Sequence, residues 1–246
     1  MLASRIIPTL LYRGEELVKG QQFDSWRPVG SAVQAMRIYQ RRQVDELIFL
    51  DVGATREGRT PDAALISQVS DGFFCPLTVG GGVRTLEDVR TLLNAGADKV
   101  AVGTAVDIVP DIARTFGSQC AVLSVDYRGE GSSASVFIRA GLVDVKRHPV
   151  EWAKHWAQNG AGEILLNAID RDGMQQGYDL GTIRDVAEAV SVPVIALGGC
   201  GYYHDMSAAL KAGASAVAAG AMFQFTEATP KEAARFLRRE GHHVRV

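Results

Sequence analysis

Three features of the sequence predict an α/β fold, a closed (βα)8 TIM barrel built from two similar halves. Short β-branched or Leu-rich runs recur along the chain, each followed by a Gly or polar turn and then by a stretch with helical apolar spacing. One stretch repeats. PLTVGGGVRTLEDVRTLLNAGADKVAVGTAV from Pro76 aligns with PVIALGGCGYYHDMSAALKAGASAVAAGAMF from Pro193 at a constant offset of 117 residues, and the glycine pairs, the Ala-Gly-Ala helix ends and the final strand glycine coincide. The length, 246 residues, suits a single α/β barrel. Half-chain repetition favours closure over an open doubly wound sheet, because a barrel has no edge strands and makes its halves equivalent. Residues 1–246 are therefore expected to form one domain.

Strands are expected near Ile6–Leu10, Glu46–Asp51, Leu77–Gly80, Lys99–Val102, Ala121–Asp126, Glu163–Ile169, Val194–Leu197 and Ala216–Ala219, eight in all, with a helical segment after each. Thr85-Leu86-Glu87-Asp88 has the form of a capping box, and Ala95-Gly96-Ala97 reads as a helix stop. The only sizeable insertion is expected between Tyr127 and Pro149, where turn residues around two alternating stretches suit a hairpin after strand five. Trp152 and Trp156, four residues apart, read as helix-to-barrel packing, and the closing His-His-Val-Arg-Val as a solvated tail with no third ligand to make a metal site.

With 26 Lys+Arg against 28 Asp+Glu the formal charge is −2, which argues against nucleic acid and anionic membrane as partners. The composition is 47% hydrophobic and 22% charged, and no apolar run approaches the roughly 18 residues of a membrane span. Cys75, Cys120 and Cys200 are odd in number and lack CxxC spacing, so neither a disulfide framework nor a thiolate zinc site is expected. A reducing cytoplasm fits, and the N-terminal segment reaches Pro8 too soon for a signal peptide.

In such barrels the loops after the strands form the site, and glycines there let backbone N–H groups approach a phosphate. Gly80-Gly81-Gly82 and Gly103-Thr104 follow strands three and four; Gly198-Gly199 and Gly220-Ala221 follow strands seven and eight. One such cluster alone reads as a tight turn, but duplication at one offset points to a ligand with two phosphates or comparable anionic ends. Carboxylates at strand ends supply the candidate acids and bases: Asp51, Asp126, Asp170 and Asp172. Asp126, closing Ala-Val-Leu-Ser-Val, is the best catalytic candidate, whereas Asp172-Gly173 suits a hydrogen-bonding turn beside an anion. At the opposite strand ends, Arg5, Glu46, Lys99 and Glu163 stand either as solvated rim charges or as a neutral, mutually paired ring closing the barrel floor.

These residues together resemble the cyclase subunit of imidazole glycerol phosphate synthase, the HisF family. The matching motifs are RIIP, VKG at Val18–Gly20, DELIFLD, TVGGG, GADKV, FGSQ, GAGEILL and DRDG, spread over essentially the whole chain. The resemblance implies a barrel that receives ammonia from a separate HisH-type glutaminase on its bottom face, conducts it along the axis and uses it at the top on a bisphosphorylated ribonucleotide. It implies that Arg5, Glu46, Lys99 and Glu163 form the ammonia gate and that Asp98 contacts the partner. It implies phosphate-site roles for Gly82, Thr104, Asp172, Gly173, Gly199 and Ala221, beside which Asp51, Gly103 and Gly220 count as substrate-facing. Lys19 matches the mobile first-loop lysine, and Asp126 one of two catalytic aspartates. No cofactor and no metal are implied.

The second aspartate is replaced. The family closes strand one with Pro-Cys-Leu-Asp, whereas this chain has Pro8-Thr9-Leu10-Leu11, and Leu11 has no titratable proton. Loss of a positioned acid or base typically costs about 10² to 10⁴ in rate. Gly103, Met174 and Leu197 also stand where Asn, Thr and Ser are usual. A HisF-like branch of surface-polysaccharide gene clusters shares the Pro-x-Leu-Leu pattern, VGxxxxAxRIY near Val29–Tyr39 and HPVEWA at His148–Ala153. It implies ammonia delivery to a separate sugar amidotransferase that makes amidino or acetamidino groups. A genuine cyclase, an activating scaffold for the glutaminase and a phosphoribosyl isomerase barrel stand as alternatives.

Overall fold

The computed structural model describes residues 3–245. Twelve strands form one sheet: β1 (Arg5–Arg13), β2 (Glu16–Gln21), β3 (Asp24–Gly30), β4 (Leu47–Asp51), β5 (Leu77–Gly80), β6 (Lys99–Val102), β7 (Ala121–Arg128), β8 (Ser135–Ile138), β9 (Val143–Asp144), β10 (Glu163–Ala168), β11 (Val194–Leu197) and β12 (Ala216–Ala219). Eight of them, β1, β4, β5, β6, β7, β10, β11 and β12, pair in parallel in that cyclic order, and β12 returns to β1 with Arg5 opposite Ala216. This is the closed (βα)8 barrel the sequence predicts.

Ten α-helices occupy the connections. They are α1 (Ala32–Arg41), α2 (Ala54–Glu57), α3 (Ala63–Ser70), α4 (Leu86–Asn94), α5 (Val109–Phe116), α6 (Pro149–Gln158), α7 (Leu180–Ala189), α8 (Tyr203–Lys211), α9 (Ala221–Phe225) and α10 (Pro230–Arg239). The period of two along each strand divides the core. Ile7, Ile48, Val122, Leu165 and Ile195 fill the barrel interior, whereas Leu10, Leu47, Phe49, Val100 and Ile164 pack outward under the helices.

The internal repeat is structural as well as sequential. Adding 117 turns β5 into β11, α4 into α8 and β6 into β12, residue for residue. Asp88 and Asp205 accept the backbone N–H groups of Thr85 and Tyr202 at 2.9 and 2.8 Å, the same cap in both halves. Gly96 and Gly213 end the two helices at φ +107° and +106°, a conformation only glycine adopts without strain.

Two expectations need correction. The hairpin after strand five exists, as β8 and β9, but it is not the only insertion: β1 runs on past the barrel wall and pairs antiparallel with β2, which pairs with β3. Both new strands have mixed faces that show no clean period. The His-Val-Arg tail is not simply solvated either. Val244 bridges Ser4, whose N–H donates to the His243 carbonyl at 2.8 Å, and His242 Nε2 lies 2.9 Å from Ser207 Oγ. The tail thus lies against the segment that leads into β1. Trp152 and Trp156 do pack on the barrel, edge to face at 5.8 Å. Val246 lies outside the described residues, among which no helix is long and apolar enough to cross a membrane.

Candidate functional site

At the strands' N-terminal ends, four charges close a ring. Arg5 Nη1 lies 2.5 Å from Glu46 Oε2 and 3.0 Å from Glu163 Oε1, and Lys99 Nζ lies 3.0 Å from Glu46 Oε2 and 3.0 Å from Glu163 Oε2. Each charge meets two of opposite sign, which offsets the desolvation of Glu46, only 1% exposed. Thr78 Oγ1 donates a further bond to Glu46 Oε1 at 2.9 Å. Of the two readings of these residues, the paired ring is the one the structure adopts. Beside it on the rim, exposed Asp98 accepts the Leu77 N–H at 2.8 Å, and Phe74 is 89% exposed.

Above the ring Ile7, Ile48, Ala101, Val122, Leu165, Ile195 and Ala216 pack together across the axis as an apolar layer without a charged group. Beyond that layer, at the strands' C-terminal ends, lies a cavity of about 130 Å³. Lys19, Asp51, Gly82, Gly103, Thr104, Asp126, Asp172, Gly173, Gly199, Gly220 and Ala221 all line it, as does Leu11. The tertiary fold brings these residues together, but not Asp170, which lies outside the cavity and pairs with Arg128 at 2.8 Å, nor Gly80 and Met174.

Their individual settings differ. Gly81, Gly82, Gly198 and Gly199 have φ between +73° and +106°, and a Cβ would meet Asp51 O at 2.1 Å from Gly81 and Gly177 O at 2.2 Å from Gly199. The turns themselves demand glycine, besides any ligand. Gly220 is different: a Cβ there would meet Lys19 Nζ at 2.2 Å. Thr104 Oγ1 accepts the Arg139 N–H at 3.1 Å, tying the β8–β9 hairpin to the rim. The Asp51 carboxylate is taken up by Arg59, at 2.5 and 2.9 Å, and by the N–H groups of Gly53 and Ala54 at 3.1 and 3.0 Å. It fastens its loop and has no free oxygen for acid–base work.

The β2–β3 hairpin roofs the cavity. Gln22 N–H donates to Asp172 O and Gln22 Nε2 to Asp170 O, both at 2.9 Å, while Arg56 Nη2 donates to Phe23 O and Ala140 O, both at 3.2 Å. Under this roof Lys19 Nζ donates to Thr9 O at 3.3 Å. Desolvation lowers the Lys19 amine to about 8, against the attraction of Asp172, and raises the Asp172 carboxyl to about 6.

Asp126 carries the strongest acid–base potential. Burial pushes its carboxyl up to about 7, opposed by bonds from Asn167 Nδ2 at 3.2 Å and Ser124 Oγ at 3.4 Å and reinforced by the charge of Asp172. A carboxyl titrating near neutrality can both give and take a proton. Leu11 shares the cavity with Leu50 and Leu197, so the end of strand one presents an apolar surface.

Sequence reasoning missed Asn167, Thr9 and Ser124, which line the cavity, and Phe23, Trp26 and Arg56 of its roof. Asn167 had a signal: counting by twos from Glu163 through Leu165 reaches it, so it must face inward. Among the described residues no group of three or more His, Cys, Asp or Glu is placed to hold a metal.

The family model described as "Histidine biosynthesis protein" matches residues 5–229, from the first barrel strand past the last and across both glycine pairs. On that match and the closed barrel, the chain belongs to the histidine biosynthesis protein family.

Proposed function

We propose that this barrel is a HisF-like synthase subunit that takes ammonia from a separate glutaminase at its bottom face, with which it forms a heterodimer, and releases it in the top cavity. The onward use we propose is amidino or acetamidino modification of a surface-polysaccharide sugar by a separate amidotransferase. The observation that carries this reading is the contrast between the two ends. The four-charge ring is complete, whereas Leu11 presents a hydrocarbon where HisF-type chemistry needs its second acid.

Neutral ammonia suits the apolar interior above the ring, to which Lys99 would act as the gate. Exposed Phe74 and Asp98 on the rim offer the partner an apolar anchor and a charge. The glycine turns and Lys19 suit a small phosphorylated ligand. Three free cysteines fit a reducing cytoplasm. The test is the purified complex with its glutaminase and the bisphosphorylated ribonucleotide of histidine synthesis: no imidazole glycerol phosphate is expected, and its robust formation sinks the reading.

A genuine cyclase is the second reading, favoured by Asp126 titrating near 7. Asp51 gives it no substitute acid, because Arg59 holds that carboxylate. It requires Asp126 to work with water alone, and it predicts rescue of a cyclase-deficient auxotroph.

A further inference from the structure

Two polar atoms in the top cavity have no partner. Asn167 Oδ1 and Thr9 Oγ1 are buried without a hydrogen bond, on residues 4% and 2% exposed that both line the cavity. An unpaired buried amide oxygen forfeits its hydration with nothing in return, so its presence in a cavity points to a ligand. The other end of the Asn167 amide is committed: Nδ2 donates to Asp126 Oδ1 at 3.2 Å, across the register that sets Asn167 opposite Asp126. On its other side Asn167 faces Leu197 in register, whose side chain has no donor to offer, and Oδ1 lies beside Gly198, where a Cβ would come within 2.8 Å of it. The cavity floor is therefore divided. β7 and β10 bring Ser124, Asp126 and Asn167, while β11, β1 and β4 bring Leu197, Leu11 and Leu50.

We propose that Asn167 is the positioning residue for Asp126 and, through its free Oδ1, the acceptor for an N–H donor held in the cavity, ammonia first of all. This rests on the reading that ammonia is used here. One amide serves both ends because they have opposite polarity: the donor faces the carboxylate and the acceptor faces the ligand. Leu197 beside Asn167, and Leu11 and Leu50 on β1 and β4, offer an N–H group no side-chain acceptor. The charged group that faces Asp126 from the surrounding elements is Asp172, which in turn faces Lys19, and neither touches Asn167 through a hydrogen bond.

The experiment uses the barrel alone and follows two signals by NMR, the Asp126 carboxyl carbon through a pH titration and the Asn167 side-chain amide. Asn167→Leu is expected to raise the Asp126 midpoint by about 1 pH unit, the size of a lost bond to a charged group, whereas Thr9→Val leaves it in place. Asn167→Asp keeps the side chain's size and is expected to raise the midpoint as well, which preserves the test if the leucine variant does not fold. An unmoved midpoint in a folded variant overturns the positioning role. Ammonium chloride, above neutral pH where free ammonia is present, is expected to shift the Asn167 amide saturably, and potassium chloride is not. No saturable shift overturns the acceptor role. Since the salt enters from solvent, neither outcome depends on the gate or on a glutaminase, and failure of the partnership leaves this result readable.

Discussion

Lys99 Nζ lies 3.1 and 3.0 Å from the two carboxylate oxygens of Glu46, a side chain only 1% exposed at the floor of the barrel. Lys99→Met leaves that carboxylate with Arg5 and Thr78 alone and leaves Glu163 with Arg5. A loss of roughly 1–3 kcal/mol is expected, less than for a buried charge stripped of every partner, and urea unfolding of the variant measures it. If the proposed complex with a glutaminase forms, the same variant is expected to uncouple glutamine consumption from product formation, read as ammonia released to solvent.

Asp126 gives the fold a pH dependence of defined sign. Its folded carboxyl titrates near 7, above its unfolded value of 3.8, so the native state binds the extra proton between those limits and loses stability as pH rises through them. Asp126→Asn removes this contribution. The variant is expected to be more stable than the parent at about pH 8, with most of the difference gone near pH 4, where the native carboxyl is protonated and the unfolded one about half so. Urea midpoints at the two pH values decide it, and a constant difference counts against the raised titration.

Two glycine substitutions separate backbone demand from site demand. Gly81→Ala forces a Cβ to 2.1 Å from the Asp51 carbonyl at φ +94°, and a destabilisation of about 1–3 kcal/mol is expected. Gly220→Ala meets chiefly the end of the Lys19 side chain, at 2.2 Å, with the Thr9 carbonyl oxygen at 3.2 Å, and at ordinary negative φ. It is expected to keep stability within about 0.5 kcal/mol while displacing the amine from Thr9 O. Calorimetry with ribose 5-phosphate as the probe is expected to show weaker binding for Gly220→Ala than for the parent.

The roof is held by few bonds. Arg56→Ala removes both contacts of its guanidinium, to Phe23 O and Ala140 O. Faster amide hydrogen exchange is expected across 16–30, with protection of the barrel strands unchanged, because the hairpin opens as a local unit. Equal exchange in variant and parent counts against a roof secured by Arg56.

The eight barrel strands, the two equivalent halves and the identity of the four ring charges were legible in the sequence. Each is a local signal: a period of two, a fixed offset, or a charge at the head of an apolar run. Leu11 was legible as a departure only through the resemblance to the HisF family, whose motif closes strand one with Asp. The hairpin roof escaped because Glu16–Gln21 and Asp24–Gly30 expose residues on both faces and so carry no clean period. Whether the ring charges pair or stand in solvent was left open, since Arg5 meets Glu46 across 41 residues and Lys99 meets Glu163 across 64. Asp51 looks the same in sequence whether it faces substrate or Arg59, and Asn167 gains its meaning only when β10 is laid beside β7. Periodicity determines which side of a strand each residue takes. Only closure of the barrel decides which residues meet across its axis, because those contacts join chain segments that no local pattern links.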